Sequence, residues 1–115
     1  MSTTPLKLNL ADGSISFSFT KSAAKDLQSA IAQLMQSLKA TSQASGSGRP
    51  TPQKPMEYQY TGEVFLEVFC NPNIYASPFA AKVLVTVRDE RIRLSTEAEL
   101  TRFIEDLNQY LEQAG

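Results

Sequence analysis

A chain of 115 residues, 42% hydrophobic and 20% charged, has the balance of one globular domain; it can bury a core without disulfides but leaves little surplus stability for a deep catalytic cavity. A single cysteine, Cys70, excludes an internal disulfide, and the absence of histidine excludes Ser-His-Asp, Cys-His and histidine-metal chemistry. The net charge of −1 hides an asymmetry: residues 1–55 sum to +4 and residues 56–115 to −5, which either averages out in one fold or gives two faces of opposite sign.

Met1 to Pro5 has neither a basic start nor an apolar core, so it reads as a flexible tail and not as a signal peptide. No apolar run approaches membrane-spanning length, and the expected location is the cytoplasm. Leu6, Leu8 and Leu10 then alternate with polar residues, Asp12-Gly13 supplies a turn, and Ile15, Phe17 and Phe19 alternate on the return. Thr20 is positioned to cap a helix from Lys21 to about Ser42, whose apolar stripe is Leu27, Ala30, Ile31, Leu34 and Leu38.

Residues 44–55, ASGSGRPTPQKP, lose all periodicity and read as a flexible linker or loop within the single domain. Pro52 and Pro55 match P-x-x-P, a spacing common enough that a bare spacer is the preferred reading. Gly46-Ser47-Gly48 lacks the Lys-Ser/Thr ending and the following helix of a phosphate-cradling loop.

Met56 to Cys70 reads as a long strand segment broken at Gly62. In its second part Val64, Leu66, Val68 and Cys70 point to one face, and Glu63, Phe65, Glu67 and Phe69 to the other. The first set belongs with the core beneath the helices; the second is then left on a face that no helix covers. Asn71 to Pro78 is a turn-rich loop carrying Ile74 and Tyr75, and Phe79 to Val87 is the next strand, with Val83, Val85 and Val87 inward. A turn near Asp89-Glu90 leads to Ile92 and Leu94 on the core face, with Arg91 and Arg93 directed away, within reach of Glu63 and Glu67 if the strands are neighbours. Thr96-Glu97-Ala98-Glu99 fits a capping box, so the last helix is expected to start at Ser95 or Thr96 and run to about Gln113 on Leu100, Phe103, Ile104, Leu107 and Leu111.

The expected fold is α+β: an antiparallel sheet of about five strands with two helices packed on one face, in the order ββα-linker-βββα, a ββα unit used twice. The βββα order is similar to that of a double-stranded-RNA-binding domain, but that family's basic Lys-Lys-x-x-Ala-Lys helix start is replaced here by Thr96-Glu97-Ala98-Glu99, which rejects the resemblance.

No catalytic, cofactor or metal site emerges. Cys70 ends an apolar strand as a structural thiol, and Glu105-Asp106 read as a solvated pair, because adjacent helical side chains diverge. The expected role is a protein-interaction, adaptor or assembly module, with self-association as one form. Its anchors would be Phe65, Phe69, Ile74 and Tyr75, rimmed by Glu63, Glu67, Arg91 and Arg93. The alternative is single-stranded nucleic-acid binding by base stacking on Phe65 and Phe69, with Tyr58 or Tyr60 as a further platform and Arg91 and Arg93 near the phosphates; Glu63 and Glu67 work against it. A third arrangement would bury Phe65 and Phe69 within the chain, under the linker or under Tyr58 and Tyr60.

Overall fold

The computed structural model describes residues 4–43 and 52–114. The expected linker therefore falls largely outside the described residues, as does most of the N-terminal tail. What remains is two helices and six antiparallel strands, in two sheets of two and four strands.

The first hairpin pairs β1 (Pro5–Leu10) with β2 (Gly13–Ser18) from Pro5 opposite Ser18 to Leu10 opposite Gly13. Pro5 is thus the first strand residue, and the turn is Ala11-Asp12, one residue earlier than the Asp-Gly signal suggested. Alternation puts Leu6, Leu8 and Phe17 inside, with Phe19 following. Helix α1 (Lys21–Gln43) starts where expected: Thr20 Oγ1 accepts from Ala23 N at 3.1 Å, satisfying one of the donors a helix start leaves open.

The four-stranded sheet has the order β3 (Met56–Thr61), β4 (Phe65–Cys70), β5 (Lys82–Arg88), β6 (Arg93–Glu99). The long segment through Gly62 is therefore a hairpin, and one expected sheet is in fact two. Gly62 cannot take a side chain without loss, since a Cβ there would collide with the Tyr60 hydroxyl.

Helix α2 (Leu100–Ala114) starts later than the capping box predicts. Ser95 to Glu99 are strand instead, because Thr96 pairs with Val85 and Ala98 with Val83, and Ala98 is buried there. Pairing with the buried strand β5 outweighs a local capping preference of about 1 kcal/mol.

One core lies on the helix side of the sheet. Leu66, Val68, Val83 and Val85 from the strands meet Leu27, Leu34 and Leu38 of α1 and Leu100, Phe103 and Leu107 of α2. Its aromatic centre is Phe19, with Tyr60 edge-on at 5.0 Å and Tyr110 at 5.8 Å between ring centroids. The Tyr110 hydroxyl donates to the Phe19 carbonyl at 2.8 Å and the Tyr58 hydroxyl to the Ala23 carbonyl at 3.0 Å, so both rings bury with their polar ends satisfied.

Asp106 departs from the sequence reading. It is buried, and its two oxygens accept from the backbone N and the side-chain Nδ2 of Asn9, each at 2.8 Å. This fork ties β1 to α2 across 97 residues of sequence and gives the two-stranded sheet its seat. Among the described residues no helix is long and apolar enough to cross a membrane.

Candidate functional site

The strand registers define the sheet face opposite the helices. One row reads Thr61, Phe65, Arg88, Arg93; the next Gln59, Glu67, Thr86, Ser95; the third Glu57, Phe69, Leu84, Glu97. Each row belongs to the parity that alternation turns away from the buried Leu66, Val68, Val83 and Val85. Phe65 and Phe69 are half-buried among their strand neighbours and lie outside the core cluster, while Leu84 is exposed. The buried residues of both helices join the core on the opposite side, with Leu66, Val68, Val83 and Val85.

The polar groups of this face are locally engaged. Arg88 lies over the Phe65 ring at 4.3 Å from its centroid, within the range in which a guanidinium is drawn to the negative face of an aromatic. Glu67 Oε2 accepts from Gln59 Nε2 at 2.9 Å, and Thr86, buried at the sheet centre, shares a 3.2 Å hydrogen bond with Ser95. The result is two apolar stations, Phe65 with Arg88 and Phe69 with Leu84, separated by a hydrogen-bonded polar row.

Several expected partners end up elsewhere. Arg93 does not neighbour Glu63 or Glu67, because β5 separates β6 from β4; Arg93 stands opposite Arg88. Arg91 sits in the turn, where Asp89 Oδ1 accepts from the backbone N of Arg91 and of Ile92 at 2.8 and 2.9 Å. Those two bonds hold the Asp89 carboxyl below its usual pKa. Arg91 and Glu63 both line a cleft of about 480 Å³ between the β3–β4 and β5–β6 turns, together with Phe65 and Arg88.

Tyr58 and Tyr60 belong to the helix side, so neither covers Phe65 or Phe69 and neither extends a stacking platform beside them. Burial pushes the Tyr58 hydroxyl up to about 12, with Asp26 and Tyr60 adding to the effect.

The loop after β4 divides its two candidates. Tyr75 packs against the core, and desolvation raises its pKa. Ile74 is 68% exposed at the end of a short 3-10 turn, Pro72–Ile74, capped by Asn71. Asn73 reaches back from this turn to Gln53, accepting from its N and donating to its carbonyl at 2.8 Å each, so the chain entering β3 is pinned to the loop.

The sequence reading missed Phe79, Leu84 and Arg88. The sequence places Phe79 in a strand, but β5 begins only at Lys82 and Phe79 is 85% exposed in the preceding turn. Leu84 carried a usable signal: it has the parity opposite to Val83 and Val85. Ile92 and Leu94 were expected in the core, yet they are 64% and 37% exposed, because no helix reaches over the start of β6.

Cys70 is buried and burial pushes its thiol up to about 11, which keeps it protonated and unreactive. Among the described residues, no three His, Cys, Asp or Glu side chains group to hold a metal ion. Compared with known proteins, the chain matches no family model, no curated protein and no solved structure.

Proposed function

We propose that this protein is a non-enzymatic interaction or assembly module that binds a protein partner through the uncovered face of its four-stranded sheet, in a cytoplasmic setting. The observation that carries the reading is an apolar face without a lid: Phe65, Phe69 and Leu84 stand on the side of the sheet that neither helix touches. Arg88, Arg93, Glu57 and Glu97 flank them as charged rim, and Glu67 lies in the row between the two phenylalanines. Apolar anchors inside a polar border are the usual anatomy of a protein interface. Ile74 and Phe79 are further apolar groups exposed in the loop between β4 and β5, although the turn carrying Ile74 lies against α1, where Thr41 Oγ1 is 3.4 Å from the Pro72 carbonyl.

Single-stranded nucleic acid is the weaker alternative. Tyr58 and Tyr60 are not available as platforms, and the glutamates on the face oppose phosphate.

The test is affinity capture from the native source with the unaltered chain, Leu84→Glu and Phe65→Glu in parallel, followed by hydrogen exchange on the reconstituted complex. A partner lost by both variants, with protection over β4 and β5, is expected. A partner retained equally by all three would refute the assignment of this face.

A further inference from the structure

We infer that β6 is a dimerisation edge: a second copy of the chain adds its own β6 antiparallel, across a two-fold axis at Ser95, and joins two four-stranded sheets into one. The surface differs from the face proposed for the protein partner, and the inference does not depend on that assignment.

β6 ends the sheet and pairs on one side only, with β5. The phase of its backbone follows from the two ends of that ladder. Asp89 N donates to the Ile92 carbonyl at 2.9 Å, and Leu100 N to the Ala81 carbonyl at 3.0 Å. Both pairs continue the register Val87–Leu94, Val85–Thr96, Val83–Ala98. Antiparallel ladders alternate, so Leu94, Thr96 and Ala98 direct their N–H and C=O groups to β5. Arg93, Ser95 and Glu97 therefore turn theirs to the free side, a row of donors and acceptors ready for another strand.

The side chains at those positions specify which strand fits. Along the strand these positions are Arg93, Ser95 and Glu97: one positive, one neutral, one negative. A copy running the other way about Ser95 places Arg93 opposite Glu97 on both sides of the axis. Within its own sheet Arg93 faces Arg88, a like-charge pair that gains from a carboxylate on its other flank. An edge protected only against pairing would carry like charges along its length; this one is complementary to itself.

On the helix side the edge is bordered by the β1–β2 hairpin, whose strand β1 contacts β6. A groove of about 700 Å³ runs between β6 and the tip of the β1–β2 hairpin, lined by Leu10, Ile15, Leu94 and Thr96 among others. In the register centred on Ser95, the incoming strand sets its Leu94 beside Thr96 and its Ile92 beside Ala98. Leu94, and Ile92 just before β6, are left in solvent, and these are the apolar side chains that the added strand would cover.

Sedimentation equilibrium on the full chain tests this. The unaltered protein is expected to be dimeric, and Arg93→Glu and Glu97→Arg each to weaken the dimer by about tenfold. The double variant Arg93→Glu/Glu97→Arg regains the affinity, because symmetry restores both pairs with signs exchanged. Ser95→Cys, a small change at an exposed site, should give a disulfide-linked dimer on mild oxidation, whereas the buried Cys70 of the unaltered chain should not. A monomer at every concentration, a double variant no better than the singles, or no cross-link from Ser95→Cys would each overturn the inference. So would a dimer broken by Phe65→Glu but indifferent to the charge reversals, since self-association would then belong to the open face.

Discussion

On the helix side of the four-stranded sheet, Leu66, Val68, Val83 and Val85 are wholly shielded from solvent, while on the other side their immediate neighbours Phe65, Phe69 and Leu84 are not. Both sets are apolar and both belong to β4 and β5; they differ by one position in the alternation. Composition therefore does not separate a core residue from a contact residue here. Coverage does, and coverage comes from elements distant in sequence: α1 from the first half of the chain and α2 from the end.

The contrast can be broken most sharply by truncating one residue on each side. Leu66→Ala is expected to cost about 3 kcal/mol, because it empties fully enclosed volume. Phe65→Ala, although it removes more atoms, is expected to cost about 1 kcal/mol, since its ring is only half-buried and its specific partner is Arg88. Urea unfolding of both variants checks the ratio. Equal losses would mean that Phe65 is enclosed after all.

A second comparison sets the seat of the small sheet against the rim charges. Asp106→Ala should lower stability by about 2 kcal/mol, as it leaves the Asn9 donors without their buried acceptor. Glu67→Ala should stay within about 0.5 kcal/mol, because its bond to Gln59 is exposed. The same urea titrations measure both.

A pH response from the covered side completes the contrast. Cys70 and Tyr58 are neutral when protonated, and their folded pKa values, about 11 and about 12, lie above the ordinary values. Below about pH 9 both states hold these protons and neither group makes stability depend on pH. As pH rises past that point the unfolded chain releases them first, so the folded state loses ground. The urea midpoint should be flat up to that pH and then fall, with a shallower fall in Cys70→Ala. An equally steep fall in that variant would remove the thiol from the account.

Much of the fold was legible because alternation and helical spacing are local. Leu6, Leu8, Phe17, Leu27, Ile31, Leu34, Leu38, Leu66, Val68, Phe103 and Leu107 all lie where period and parity place them. The face carrying Phe65 and Phe69 was legible for the same reason. Local signals failed wherever a non-local partner intervened. Thr96-Glu97-Ala98-Glu99 resembles a helix cap but forms strand against β5; Asp106 resembles a solvated carboxylate but clasps Asn9; Tyr75 resembles a surface anchor but packs on the core. Arg93 and Glu67 share a face yet never meet, because neighbour order within a sheet is not written in any single strand.

The amino-acid sequence alone determined two amphipathic helices, the parity of the strands and the absence of histidine chemistry, since each depends on the residue types in one short window. Tertiary structure decided that the strands divide into two sheets, that β6 lies at an edge, and that Phe65, Arg88 and Leu84 share an uncovered surface. Those outcomes depend on which strands pair and where two helices end. Both are settled by the free energy of burying the whole chain at once.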